Sequence, residues 1–147
     1  MLSNVLYVIR IVALGLWVGA MTGFAFLFAP IAFAHVGPTP QFAATIAGSV
    51  RAIAAFGGWL AVIAAAITVF AKLETMRVRI AIVISTALAL ACSTYEVRAI
   101  IPKMQATPLL TAAYEALHRQ SSGVYSAVLV FALIALVLSS RSAYRSA

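Results

Sequence analysis

Four long apolar segments alternate with short polar connections along this chain of 147 residues. Segments 11–29, 52–71 and 120–140 contain no charged residue, and segment 80–101 contains only Glu96 and Arg98. A helix needs about 20 apolar residues to cross the hydrocarbon of a bilayer. The pattern therefore predicts an all-α fold in one transmembrane domain, a four-helix bundle with helices at about 8–33, 44–71, 79–101 and 112–140.

A short polar turn separates the second and third segments, and prolines separate the others. Because proline has no amide proton and resists the interior of a helix, we expect breaks at the two proline-containing connections, 34–41 and 102–108. Thr39-Pro40 and Thr107-Pro108 each fit a capping threonine followed by proline at the first helical position.

The same two dipeptides indicate a weak internal repeat. Thr39-Pro40 precedes Arg51 by the spacing at which Thr107-Pro108 precedes Arg119. Two helical hairpins that enter the membrane from the same side would form a parallel repeat. The rest of the match is poor, so duplication and chance remain alternatives.

Composition excludes a soluble protein. Hydrophobic residues make up 65% of the chain, charged residues make up 9%, and the mean hydropathy is +1.10. A soluble domain is roughly 45–50% apolar and about 25% charged, and so small a chain has too much surface for its volume to hide the excess. The net charge of +7 comes from basic residues that flank the apolar segments without forming a run. That distribution favours membrane topology over nucleic-acid binding.

Basic residues also predict the orientation of the bundle, because lysine and arginine accumulate on the cytoplasmic side of a membrane. One side would carry Arg10, Lys72, Arg77, Arg79, Arg141 and Arg145, and the other Lys103 and Arg119, with Arg51 and Arg98 slightly inside the helices. We therefore expect both termini and the central turn to lie in the cytoplasm, and the protein to sit among the lipids of a bacterial cytoplasmic (inner) membrane.

Three glycines in the first predicted helix recur every four residues: Gly15, Gly19 and Gly23. They share one face of the helix, and small residues at this spacing let helices approach closely in lipid. This face predicts contact with another helix. That helix belongs either to the same chain, to a second copy in a homo-oligomer, or to a partner in a membrane complex.

Ionisable side chains gather toward the predicted outward ends of the helices. Unpaired polar groups are costly inside a membrane, so these residues are candidates for a binding site. Polar stripes on the third and fourth helices predict an outward-facing pocket formed by Arg51, Glu96, Arg98, Glu115, His118 and Ser122. The alternative is purely structural: Glu115 pairs with Arg119 on the helix surface, and the other arginines reach lipid headgroups.

Two cofactors fit parts of this set. Glu115 and His118 have the Glu-x-x-His spacing of di-iron bundles, but the chain contains three acidic residues, too few for a complete di-iron site. One hypothesis is a single divalent metal ion held by His118, Glu115 and Glu96. Another is a b-type haem between the two histidines of the chain, His35 and His118. The sequence lacks the motifs of hydrolases, zinc proteases and phosphate-binding loops, which favours a protein that is not an enzyme.

Several short motifs resemble one family, the small four-span membrane proteins related to transmembrane protein 205. The motifs are Trp17-Val18-Gly19, Gly23-Phe24, Ala29-Pro30 with Phe33, Pro102, and Leu117-His118-Arg119-Gln120-Ser121. The resemblance implies a four-helix membrane fold and marks Trp17, Gly19, Pro30, His118 and Ser121. Tyr95-Glu96 stands where the family usually has an amide residue late in the third helix. The general biochemical activity of that family is not established.

The sequence therefore predicts an integral membrane protein that binds or passes a small polar ligand or a metal ion at an outward-facing pocket. Two alternatives stay open. One is a structural or accessory subunit of a larger membrane complex, joined through the glycine face. The other is an electron-transfer subunit that carries haem b on His35 and His118.

Cysteine accessibility tests the orientation. We expect a membrane-impermeant thiol reagent to label Met104→Cys from outside the cell and to leave Thr75→Cys protected, because position 104 lies near an outward connection and position 75 in the cytoplasmic turn. Labelling of position 75 from outside, with position 104 protected, would overturn the orientation.

Overall fold

The computed structural model describes residues 2–71 and 73–141. Four helices hold most of these residues: α1 (Leu2–Val36), α2 (Pro40–Ala71), α3 (Met76–Ala106) and α4 (Ala112–Arg141). None of the described residues lies in a β-strand. Each helix is long and apolar enough to cross a membrane, so the expected all-α fold of an integral membrane protein is confirmed. Lys72 and Arg145, which contribute to the charge count above, lie outside the described residues.

Two prolines lie inside helices, although the sequence predicts a break from Pro102 onward. α1 continues through Pro30, and α3 continues through Pro102. A π-helical turn stands just before each proline, Phe24–Phe28 in α1 and Glu96–Ile100 in α3. The residue after each turn donates its N–H to a carbonyl five positions back. Such a local π adjustment lets a membrane helix accommodate a residue that supplies no donor.

Threonine side chains cap the starts of α2 and α4. Thr39 caps α2 as expected, because Phe42 N–H donates to Thr39 Oγ1 at 3.1 Å. The expected cap at Thr107 is wrong, because that residue ends α3 and α4 begins later. The cap of α4 is Thr111, whose Oγ1 accepts a hydrogen bond from Tyr114 N–H at 3.2 Å.

The two hairpins, α1–α2 and α3–α4, are structural repeats of one another. Their π-helical turns start 72 positions apart, as do their capping threonines. Buried residues of α1 recur in α3 at an offset of 72. Buried residues of α2 recur in α4 at an offset of 71. The buried pairs are Arg10/Ile82, Ala13/Ser85, Leu14/Thr86, Trp17/Ala89 and Met21/Ser93, then Gly57/Val128, Ala61/Ala132, Ala64/Ala135 and Thr68/Ser139. The fold thus contains a parallel repeat, but not at the offset of 68 that Thr39-Pro40 and Thr107-Pro108 suggest.

The four helices form a square bundle in which each helix packs against two others. α1 and α3 each pack against α2 and α4, and within the described residues no Cα atoms of the two diagonal pairs approach within 8 Å. Two apolar clusters fill the centre. Their buried members are Trp17, Met21, Ala61, Ala89, Val128 and Ala132 in one, and Leu14, Ala64, Ile82 and Ala135 in the other. These clusters lie away from the connections 37–39 and 107–111, so the end of the bundle with those connections is left to form a site.

Trp17 on α1 packs directly against Gly57 on α2. Trp17 is 1% exposed, and its indole occupies the space that a Cβ on Gly57 would need. By contrast, no described atom outside the local helix lies within 4 Å of a Cβ built on Gly15, Gly19 or Gly23. Packing within the chain therefore uses Gly57, and the predicted glycine face of α1 is not covered by the chain's own helices.

A buried ion pair links α1 to the connection between the hairpins. The guanidinium of Arg10 donates from Nη2 to Glu74 Oε1, and its Nη1 lies 3.4 Å from Thr68 Oγ1 on α2. Both charged side chains are almost completely buried. Burial of an ion costs several kcal/mol unless a partner is supplied. Arg10 is therefore an interior residue of the bundle and not, as the sequence suggests, a charge that flanks the membrane.

We expect Gly57→Ala to lower the thermal stability of the protein in detergent, because the added methyl group overlaps the rigid Trp17 indole, at a cost of about 1–3 kcal/mol. Gly48→Ala is the matched control on the same helix, because nothing lies within 4 Å of its Cβ. That control should be neutral or stabilising by up to about 1 kcal/mol. Equal unfolding temperatures for the two variants would contradict the contact.

Candidate functional site

A cavity of about 690 Å³ lies between the two hairpins, at the end of the bundle that carries the connections 37–39 and 107–111. All four helices and the second connection contribute to its walls. Its volume falls within the range of roughly 300–1,000 Å³ that is typical of small-molecule sites. The end of the bundle where the sequence predicts a pocket therefore contains a cavity between the structural repeats.

The two hairpins line the cavity with side chains of opposite character. The first hairpin contributes a mainly apolar wall, and the second contributes most of the polar groups. Five pairs of lining residues lie at the offsets of the repeat, 72 between α1 and α3 and 71 between α2 and α4: Phe24/Glu96, Ala29/Ile101, Ala43/Tyr114, Ala47/His118 and Val50/Ser121. In four of these pairs the first hairpin supplies the apolar member and the second the polar one, whereas Ala29 and Ile101 are both apolar. Equivalent positions of the repeat therefore give one apolar wall and one polar wall.

Glu96 is the buried polar group of this cavity. It is the first residue of the π-helical turn in α3 and is only 3% exposed. Its Oε1 accepts a hydrogen bond of 2.6 Å from Ser121 Oγ on α4. One residue earlier, the hydroxyl of Tyr95 accepts a hydrogen bond of 3.0 Å from Gln120 Nε2. Two adjacent hydrogen bonds thus fix α3 against α4 where the carboxyl group meets the cavity.

Aromatic rings join the two hairpins near this carboxyl group. Tyr125 lines the cavity from α4, and its hydroxyl donates to the carbonyl oxygen of Met21 on α1 at 3.0 Å. The ring of Phe24 lies 5.9 Å from the ring of Tyr125 and 5.6 Å from that of Phe28, measured between centroids. Tyr125 and Glu96 also border a second, small cavity of about 10 Å³ that reaches Trp17. The base of the main cavity is therefore built from packed rings around one carboxyl group.

Half of the predicted pocket residues line this cavity. Glu96, His118 and Ser122 belong to its walls, whereas Arg51, Arg98 and Glu115 are exposed and lie outside them. Arg51 reaches the edge, because its Nη2 donates to Gln105 Oε1 at 2.8 Å and Gln105 lines the cavity. The expected ring of arginines around the pocket is therefore wrong, as is the place of Glu115, because α4 directs Ser121 rather than Glu115 toward α3.

Neither predicted cofactor site is assembled. No group of three His, Cys, Asp or Glu side chains that could hold a metal ion occurs in residues 2–71 and 73–141. Of the predicted metal ligands, Glu96 and His118 share the cavity and Glu115 does not. Of the predicted haem ligands, His118 lines the cavity, whereas His35 is exposed near the end of α1 and is not among the described lining residues. Its Nδ1 lies 2.8 Å from Ile31 O of the same helix.

Sequence reasoning missed the apolar wall of the cavity. Phe24, Phe42, Ile46 and Val50 look like any other apolar residues of membrane helices, because lipid, core and cavity accept the same side chains. A signal that could have found them is the offset of 72 that aligns the two helix-internal prolines and the two capping threonines.

Comparison of the chain with protein-family models, with curated proteins and with solved structures found no match. The resemblance to proteins related to transmembrane protein 205 therefore stays a prediction.

We expect Ser121→Ala to destabilise the protein by about 1–3 kcal/mol, because Glu96 loses the hydrogen-bond donor that accompanies its burial. Ser122→Ala is the matched control, since the Ser122 hydroxyl donates only within its own helix, to His118 O at 3.0 Å. The control should stay within about 0.5 kcal/mol of the parent protein. Unfolding in detergent measures both variants, and similar losses would argue against a special role for the Glu96–Ser121 bond.

Proposed function

We propose that this integral membrane protein binds a small amphipathic molecule in the cavity between its hairpins, and that it is not an enzyme. The observation that carries the proposal is the division of the cavity into an apolar wall and a polar wall at equivalent positions of the repeat. An apolar molecule with one polar group can contact both walls favourably. A fully polar ligand would place polar atoms against the apolar wall, where they find no hydrogen-bond partner.

The composition of the walls supports this function. Small-molecule sites are typically lined by apolar and aromatic side chains with a few polar groups that fix orientation. Here Glu96, His118, Ser122 and Gln105 supply polar atoms among rings and aliphatic side chains. The apolar wall also changes the expected ligand from a small polar molecule to an amphipathic one.

The opposite end of the bundle favours binding over free passage. The apolar clusters fill the centre of the bundle, and the ion pair between Arg10 and Glu74 lies buried beyond them. A ligand in the cavity would therefore meet packed side chains on its way across the membrane. With the orientation expected from the basic residues, the cavity faces outward.

A cavity-filling variant tests the function. Ala47→Phe places a ring inside the cavity wall on α2, and Ala55→Phe places the same ring on an exposed position of that helix. We expect 1-aminoanthracene, a neutral fluorescent aromatic amine, to bind the parent protein and Ala55→Phe, and to lose about tenfold or more in affinity for Ala47→Phe. Fluorescence titrations at equal detergent concentration measure this difference.

Identical titrations for the two phenylalanine variants would refute binding in the cavity, because partition of the probe into detergent is the same for both. Thermal unfolding of each variant shows that the fold is retained. Since the cavity has room for a phenyl ring, Ala47→Phe is not expected to overpack the bundle.

A structural role in a larger membrane complex is a second candidate function. The open face at Gly15, Gly19 and Gly23 favours it, because such a face suits close contact with another helix. Purification from native membranes with a fixed set of partner proteins would support this candidate. Recovery of the protein alone, with the probe still bound, would support the ligand-binding function.

Membership of the family related to transmembrane protein 205 is also a proposal. Three of the positions that the resemblance marks have identifiable contacts or backbone roles in the fold. Trp17 packs against Gly57, Pro30 follows the π-helical turn of α1, and Ser121 donates to Glu96. These roles support the resemblance, and they connect it to the cavity.

A further inference from the structure

We infer that the cavity selects an organic cation and that Glu96 binds its positive charge. This inference rests on the proposed ligand-binding function and names the chemical class of the ligand.

The charges around the cavity lead to this inference. Among the described residues that line the cavity, Glu96 is the single acidic one, and none is a lysine or an arginine. Arg10 and Glu74 form the ion pair found in the described residues, and no basic side chain within residues 2–71 and 73–141 pairs with Glu96. An ionisable group within a membrane span commonly pairs with another ionisable group and marks a pathway for a substrate or an ion. A positively charged ligand would supply that partner from inside the cavity.

Aromatic side chains add a second binding element for a cation. Phe24, Phe42, Tyr114 and Tyr125 all line the cavity, and the faces of such rings attract positive charge. By the repeat, Phe24 stands on the first hairpin where Glu96 stands on the second. A bulky cation between these positions would contact a ring on one side and a carboxylate on the other.

Other classes of ligand fit less well. An anion would find no lysine or arginine among the lining residues. A metal ion would find no group of three ligating side chains in the described part of the chain. An organic cation uses both the carboxyl group and the apolar wall, since its charge is surrounded by hydrocarbon.

Competition between two ligands of similar shape tests the inference. Tetraphenylphosphonium carries a permanent positive charge, and triphenylphosphine oxide carries three of the same rings without a net charge. We expect tetraphenylphosphonium to displace 1-aminoanthracene from the parent protein at a concentration about tenfold or more below that of triphenylphosphine oxide. Equal displacement by the two compounds would overturn selection of a cation while leaving the ligand-binding function intact.

Glu96→Gln removes the charge and keeps the size of the side chain and an oxygen that can accept from Ser121. We expect this variant to lose the preference for tetraphenylphosphonium and to retain displacement by triphenylphosphine oxide. Glu115→Gln is the control, because Glu115 is exposed and lies outside the cavity wall; its preference should match that of the parent protein. A preference that survives in Glu96→Gln would overturn the role of Glu96.

The outcomes separate this inference from the function on which it rests. If 1-aminoanthracene binds Ala47→Phe as well as Ala55→Phe, the cavity is not the binding site and both proposals fail. If Glu96→Gln does not fold, the comparison of the two competitors on the parent protein still decides whether a cation is preferred. If Glu96→Gln and Glu115→Gln both lose the preference for tetraphenylphosphonium, the preference comes from the overall surface charge, which would contradict the inference.

Discussion

The hydrogen-bond ladder of the backbone is the constraint on which this structure depends, because hydrocarbon offers no water to an unpaired N–H or C=O group. Pro30 and Pro102 each remove one donor from a helix that continues past them. The chain responds with a π-helical turn before each proline, and these turns begin at Phe24 and Glu96. Both residues line the cavity. The two places where the ladder adjusts are therefore the places from which α1 and α3 begin to line the cavity.

Packing in the rest of the bundle follows from the sizes of residues at repeated positions. Ala61 and Ala64 in α2 have their counterparts in Ala132 and Ala135 of α4, and all four are fully buried. Small buried residues allow close helix contacts, which stabilise membrane bundles in the absence of a hydrophobic effect between helices. The first hairpin combines Trp17 with Gly57, whereas the repeat-related positions hold Ala89 and Val128. In the first hairpin a large side chain packs against a glycine, and in the second hairpin the equivalent positions hold an alanine and a valine. The two pairs thus fill equivalent parts of the core with different combinations of sizes.

The sequence predicts the four helices well, because a run of about 20 apolar residues has few structural alternatives. It predicts the faces of those helices poorly. In water a buried face differs from an exposed face in polarity, but in a membrane both are apolar. Glu96 could be identified as a site residue because a carboxyl group inside a helix is costly. Its partner Ser121 and the wall that begins at Phe24 depend on helix rotation, which hydropathy does not encode.

Arg10 shows a second limit of prediction from sequence. An arginine near the start of an apolar segment usually faces lipid headgroups, and only the position of Glu74, far along the chain, shows that it pairs inside the bundle. The two prolines are a third case. A proline commonly ends a helix, and the π-helical turns that allow continuation leave no residue pattern that composition or periodicity detects.

The covalent link between the hairpins has a consequence for how a guest molecule can lie in the cavity. A symmetric dimer of a single hairpin would place the same side chain on both walls, so it would carry two carboxyl groups or none. In this chain Phe24 and Glu96 occupy equivalent places and differ. Any bound molecule with distinct ends therefore has one favoured pose instead of two degenerate ones. The difference between Phe24 and Glu96 therefore gives the cavity a direction that a symmetric dimer of one hairpin would lack.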